Sequence, residues 1–246
     1  PPFELHEPTS LKEAAELKAR LPEADFVAGG TDLLPNYKWG LNAKKHVISL
    51  HRVPEMRELT SERIGALTTL TQIEKSGLLA TSLPVLPETA RQIATPLLRN
   101  MGTLGGNLML DNRCFFFNQT RLWRESKGFC MKEDGDKCLV VPQKDKCYAT
   151  FNADMPAALI ALGASIDLVS HESHRTVKLA SFYEPDGIHR NAKLPHALVV
   201  GVTIPEDAQK LRATYQKPRL PHRLEFPVLR IASAGGCRAR CNTSAP

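Results

Sequence analysis

The sequence predicts an α+β fold, and three observations carry that prediction. Apolar segments of strand length alternate with stretches at helical spacing. Several of these segments run directly into glycine, which marks tight turns. A long polar stretch bearing cysteines separates two pieces of ordinary mixed sequence.

The elements follow in order. Ser10 with Glu13 reads as a capping box ahead of Leu11, Ala14, Ala15 and Leu17 at helical spacing. Phe26-Val27-Ala28 is a short buried strand ending in Gly29-Gly30, Val47 to Leu50 a second strand, and Arg63 to Ala66 a third. Thr71 with Glu74 forms another box and opens a helix over Thr71 to Ser76, and Leu83 to Ile93 reads as helical. Asp154 is placed as the N-cap of a helix over Met155 to Leu162. The strands Ser165 to Val169, Thr176 to Leu179 and Leu198 to Ile204 follow, with no repeat or low-complexity tract.

The chain has 246 residues, 42% of them hydrophobic, enough to bury a sizeable core without help from metal or disulfides. No apolar run approaches the roughly 20 residues that span a bilayer. The opening Pro1-Pro2-Phe3-Glu4 lacks the basic and apolar regions of a signal peptide, so a cytoplasmic, reducing setting is expected. Six cysteines in that setting are expected as thiols or metal ligands rather than disulfides. The net charge is +6, but Lys and Arg are scattered among 26 acids without a stripe or zinc-finger spacing. Nucleic-acid binding is therefore not expected, and a docking surface for an acidic redox partner fits the charge as well.

Two glycine-rich segments carry the chemistry. In Ala28-Gly29-Gly30-Thr31-Asp32-Leu33-Leu34, two glycines after a strand let the backbone turn tightly and present successive N–H groups to an anion such as a phosphate. The same residues also suit a plain turn. The motif is neither G-x-G-x-x-G nor a Walker loop. In Arg99-Asn100-Met101-Gly102-Thr103-Leu104-Gly105-Gly106-Asn107-Leu108, three glycines in five residues point either to close backbone approach to a ligand or to a bulged loop packed on a neighbouring helix.

Four cysteines, Cys114, Cys130, Cys138 and Cys147, stand in the long insert with 15, 7 and 8 residues between them. Four thiolates hold an iron–sulfur cluster or a structural zinc. Zinc sites usually contain a C-x2-4-C knuckle, which this spacing lacks. Phe115, Phe116, Phe117 and Trp123 either line such a centre or supply the insert with a small core of its own. The eight histidines, His6 and His46 among them, show no metal spacing, and His171 with His174 reads as a solvated hairpin tip. No nucleophile elbow or Cys–His pair is legible, so no site for substrate chemistry is expected in this chain.

Taken together, A-G-G-T-D-L-L and R-N-x-G-T-L-G-G-N resemble the FAD-binding subunits of the molybdenum hydroxylase family, from about Phe3 to about Leu229. The resemblance implies a two-subdomain FAD-binding fold. It also implies that Ala28 to Leu34 with Thr103, Gly105, Gly106 and Asn107 grip the FAD pyrophosphate and ribityl chain, and that Asp154, heading the next helix, contacts the cofactor. The cysteine insert, about residues 112–150, narrows the likeness to the β subunits of the 4-hydroxybenzoyl-CoA reductase branch. That likeness implies a 4Fe-4S cluster on Cys114, Cys130, Cys138 and Cys147, a large molybdopterin-binding subunit, a small 2Fe-2S subunit, and ferredoxin as electron donor. The implied organisation is an FAD-binding domain over 1–212 and a remnant of a truncated C-terminal α+β domain over 213–246. Tyr215-Gln216-Lys217 and Phe226 to Ala232 would enter that domain, and the tail carrying Cys237 and Cys241 departs from the family pattern.

Overall fold

The computed structural model describes residues 1–192, 196–218 and 229–236. The N-terminal lobe is a parallel sheet of β1 (Glu4–His6), β2 (Asp25–Val27) and β3 (His46–Ser49), in the order β1-β3-β2. Two helices make the crossovers that parallel pairing requires: α1 (Leu11–Arg20) and α2 (Leu33–Lys38). Ser10 Oγ caps α1 by accepting from Glu13 N at 3.2 Å. Glu13 reaches back one residue further than a capping box would, accepting from Thr9 N at 2.7 Å.

The second lobe begins with β4 (Arg63–Gly65) and a run of short helices: α3 (Leu70–Glu74), α4 (Gly77–Ser82), α5 (Val85–Arg91), α6 (Pro96–Met101) and α7 (Leu104–Leu108). The capping box lies two residues before the expected one, with Thr69 and Gln72 satisfying each other's backbone N–H. Glu74 instead receives Arg99, at 2.8 Å from Nε, so the arginine at the head of the second glycine segment ties α6 to α3. Thr69 wins because its own backbone is extended and Leu70 and Ile73 then face the core.

After the cysteine insert, which holds α8 (Arg121–Lys127), the chain forms α9 (Met155–Ala161), β5 (Ser165–Val169), β6 (His174–Lys178) and β7 (Leu198–Thr203). These strands complete an antiparallel sheet in the order β4-β7-β5-β6. β6 starts and ends earlier than its apolar residues suggest, because the tight turn at Ser170–Ser173 fixes its register against β5. His171 and His174 sit at this exposed tip, as expected. Asp167 is buried inside the sheet and fully engaged by Arg63 at 2.6 Å, Thr176 at 2.8 Å and Thr203 at 3.1 Å.

β8 (Leu211–Gln216) and β9 (Ile231–Gly236) form a hairpin that packs back on α9. Tyr215, Ala213 and Ala232 join the main core there, so residues past 212 are packed against the FAD-domain body. Phe226 to Val228 and the tail with Cys237 and Cys241 lie outside the described residues. No helix among the described residues is long and apolar enough to cross a membrane.

Candidate functional site

A cavity of about 910 Å³ opens between the two lobes. That volume lies within the usual range of cofactor sites, about 300–1,000 Å³. The first glycine segment forms one wall: Ala28, Gly29, Gly30, Thr31, Asp32 and Leu33 line it. Leu34 does not. It sits on α2 about 100° around the helix from Leu33, with its Cδ1 packed beside Gly30. Gly30 has φ of +69°, a conformation that glycine adopts without strain. Among the described residues, the backbone N–H groups from Gly29 to Leu33 donate to no protein acceptor. Five consecutive free donors at a cavity wall form a nest for anionic oxygens.

The second glycine segment is a helix start rather than a loop. Thr103 Oγ1 accepts from Gly106 N at 3.1 Å and caps α7, whose first turn holds both Gly105 and Gly106. Thr103, Gly105, Gly106 and Asn107 line the cavity. The glycines here answer two different needs. A Cβ on Gly105 would lie 2.7 Å from Ala66 Cβ, so this glycine is required for α7 to pack on the turn after β4. Gly106 would meet only Thr103 Oγ1, at 3.2 Å. The two glycine segments also touch each other, since a Cβ on Gly29 would stand 1.8 Å from the Met101 carbonyl oxygen.

Asn107 and Asp154 exchange the roles the sequence suggests. Asp154 sits at the N-cap position of α9 in a helical conformation and makes no capping bond. Asn107 Oδ1 accepts from Met155 N at 3.0 Å and caps α9 across the lobe. Asp154 lines the cavity, is buried, and collects Tyr215 Oη at 2.6 Å, Lys217 Nζ at 2.8 Å and Arg230 Nε at 2.8 Å, all on Oδ1. The carboxylate therefore clamps the β8–β9 hairpin to the cavity wall. Sequence patterning gave no hint of these partners, which lie 61 or more residues away.

The cysteine insert is closed at its base by a backbone bridge between Arg113 and Thr150, with both N–H···O bonds at 2.8 Å. Arg113 also pairs with Asp32 and donates to Asn36 Oδ1 at 3.2 Å. A second tie runs through Asp111, which receives Lys132 from inside the insert at 2.8 Å and Arg190 at 2.6 Å. The insert is thus fastened to the wall that carries the first glycine segment.

Cys130, Cys138 and Cys147 are buried, Cys114 is half-buried, and all four are free thiols. None of them lines the cavity, although Arg113 and Phe117 from the insert do. Burial pushes the Cys130 and Cys147 thiols up, with Cys114 adding to both and Cys138 to Cys147. Each of the four is therefore in electrostatic reach of another. Burial also acts to raise the Cys138 thiol, but backbone N–H donors from Tyr148, Val141 and Val140 outweigh it and hold the thiol below its ordinary value. No three of the sulfurs lie within 4.8 Å of one another. Thiolates on one zinc ion stand about 3.8 Å apart at a Zn–S distance of about 2.3 Å, so the side chains as placed do not form a closed tetrahedral set. Phe117 is buried with Cys130 and Leu41 in a small apolar cluster, whereas Phe115 meets Phe116 and Trp123 edge-on and Phe116 lies tilted against Trp123, Phe115 being largely exposed.

The family description "FAD binding domain in molybdopterin dehydrogenase" matches residues 1–207. The chain belongs to this family. As an FAD-binding domain of this kind it is 32% identical, over 206 residues, to the aldehyde oxidoreductase FAD-binding subunit PaoB of Escherichia coli (strain K12), covering 78% of this chain and 65% of that one. It is 30% identical to the carbon monoxide dehydrogenase medium chain of Afipia carboxidovorans, over 82% of this chain and 58% of that one. The chain therefore spans about three fifths of the length of these relatives. Among solved structures, reconstituted CO dehydrogenase from Oligotropha carboxidovorans superposes on it with a TM-score of 0.68 at 27% identity, covering 92% of this chain and 66% of that one.

Two features escape the spacing along the chain, one at the cavity and one away from it. Lys18, on α1, reaches the cavity and is buried, with Nζ donating to Ala24 O at 2.6 Å and Pro22 O at 2.7 Å. Its place at helical spacing with Ala14 and Ala15 was the one available signal. His6 and His46, 40 residues apart and without metal spacing in the sequence, stand 3.2 Å from each other across β1 and β3.

Proposed function

We propose that the chain is the FAD and iron–sulfur electron-transfer subunit of a molybdenum-containing oxidoreductase of the 4-hydroxybenzoyl-CoA reductase type. The row of free amides from Gly29 to Leu33, facing a cavity of cofactor size, carries the flavin assignment. Ala28, Gly29, Gly30, Thr31, Asp32 and Leu33, with Thr103, Gly105, Gly106 and Asn107, would hold FAD, and Leu34 would support Gly30 from behind. Asp154 would fix the cavity wall and contact the cofactor from it. In this reading the FAD domain runs over 1–212 with its insert at 112–150, and 213–246 belongs to a C-terminal domain.

Cys114, Cys130, Cys138 and Cys147 would ligate a 4Fe-4S cluster. Their mutual electrostatic reach and the N–H donors around Cys138 both suit it. Bound FAD and a bound cluster supply the electron-carrying chemistry. The chain's own residues place the flavin by backbone donors, keep the thiols out of water, and couple the two regions through Arg113–Asp32 and Lys132–Asp111. A large molybdopterin-binding subunit and a small 2Fe-2S subunit would complete a cytoplasmic complex that handles the substrate elsewhere, with ferredoxin as electron donor. A flavin subunit for another substrate is the second reading, favoured by relatives named for aldehydes and carbon monoxide.

Cys138→Ser tests the division between the two regions. The variant is expected to lose most of its iron while keeping its flavin, because the glycine segments lie outside the clipped insert. Iron at the wild-type level with zinc absent would remove Cys138 from the ligand set. Loss of both cofactors from a folded variant would show that the insert and the cavity form one unit.

A further inference from the structure

At the outer edge of the parallel sheet, three side chains meet that neither the glycine segments nor the cysteine insert uses. β1 is the edge strand and pairs in parallel with β3, with Glu4 opposite His46 and His6 opposite Ile48. His6 Nε2 lies 3.2 Å from His46 Nδ1. Glu4 straddles the pair, with Oε1 3.7 Å from His6 Nε2 and Oε2 3.5 Å from His46 Nδ1. Among the described residues this is the only group of three potential ligand atoms lying within 4.8 Å of one another.

The spacings, 3.2, 3.5 and 3.7 Å with one Glu4 oxygen towards each ring, lie close to what a metal ion demands. Nitrogen and oxygen ligands at about 2.0–2.2 Å around a tetrahedral ion stand roughly 3.3–3.6 Å apart. The donor set is chemically selective as well: two imidazoles and one carboxylate suit zinc and its neighbours among the divalent transition metals, whereas calcium and magnesium prefer all-oxygen sites. The imidazoles are partly shielded, at 19% and 35% side-chain exposure, and Glu4 is open to solvent at 66%, which leaves a path for the ion and room for a water ligand.

We propose that Glu4, His6 and His46 form a binding site for one Zn²⁺-class divalent cation, which clips the short N-terminal strand to the centre of the parallel sheet. The ion would cross-link β1 to β3 at a point where only three residue pairs hold the edge strand. Without metal, the same side chains form an imidazole–imidazole hydrogen bond beside a carboxylate, so the fold does not require the ion.

Anaerobic titration of the full chain with Co²⁺ tests the site, because thiolate-bound cobalt carries charge-transfer bands that nitrogen- and oxygen-bound cobalt lacks. Wild-type protein is expected to bind one Co²⁺ per chain more than His46→Gln or His6→Gln, and the additional ion should carry no thiolate bands. Glu4→Gln, at an exposed position where folding is not at risk, is expected to weaken that ion at least tenfold. Excess Zn²⁺ should displace it. Equal stoichiometry in wild type and in every folded variant, or thiolate bands on all the bound cobalt, would overturn the proposal. Bound cobalt is counted by metal analysis and its bands are read as a difference spectrum against the untitrated protein; the site uses neither the cavity nor the insert, so failure would leave their assignment untouched.

Discussion

Gly29→Ala is expected to abolish stoichiometric FAD binding and to lower the melting temperature together. The added Cβ would stand 1.8 Å from the Met101 carbonyl oxygen and 2.6 Å from its carbon, both backbone atoms that cannot rotate away. The first glycine segment would have to lift off the second, which disrupts the row of free amides from Gly29 to Leu33. Overpacking typically costs about 1–3 kcal/mol, and a clash with fixed backbone stands at the upper end, about 3 kcal/mol. For a chain of this size that corresponds to a fall in Tm on the order of 6–12 °C. Gly106→Ala is the control, since its Cβ would meet only Thr103 Oγ1 at 3.2 Å and the fold should hold. Flavin content after gel filtration and a thermal melt of both variants decide the matter. Wild-type flavin and wild-type Tm in Gly29→Ala would mean that the two segments do not meet as described.

The second large effect is expected at Asp154. Its carboxylate faces two cations whose side chains are almost fully withdrawn from solvent, Lys217 at 6% and Arg230 at 11% exposure. Removing one member of a buried ion pair strands the remaining charge and typically costs about 3–5 kcal/mol. Asp154→Ala is therefore expected to release the β8–β9 hairpin before the rest of the chain. Hydrogen exchange should lose protection at 211–216 and 231–236 while β5 and β7 keep theirs. Uniform protection across the variant would show that apolar packing of Tyr215 and Ala232 holds the hairpin without the carboxylate. The position thus has a structural role that a simple hydrogen bond to a cofactor hydroxyl would understate.

The elements that local pattern specifies were the ones legible in the sequence. Ser165–Val169 and the core of Met155–Leu162 follow their apolar periodicity, and Ser10 caps α1 as its position indicates. The run of five- to seven-residue helices from Leu70 to Leu108 was legible only in part: the helices expected over 71–76 and 83–93 correspond to α3 and α5, whereas α4, α6 and α7 are held by tertiary contacts and carry too few turns to show a period. Thr69, rather than Thr71, caps the first of them for the same reason: the choice is made by which side chains reach the core. In the site, the glycine segments were visible as glycine, but their purposes were not separable. Gly105 serves the packing of α7 on Ala66, and Gly29 serves contact with Met101, both matters of approach between distant chain segments. The partners of Asp154 and the meeting of His6 with His46 are likewise products of topology, which spacing along the chain does not encode.

The most direct measurement is cofactor analysis of the protein purified without oxygen: flavin by absorbance and chromatography after denaturation, with iron, acid-labile sulfide and zinc determined on the same sample. The expected result is about one FAD per chain, with about four iron and about four sulfide, as a single 4Fe-4S cluster requires. Zinc in the cysteine insert with no iron and no sulfide would contradict the cluster, and a chain that takes up no FAD, even when folded and supplied with it, would contradict the reading of the cavity itself.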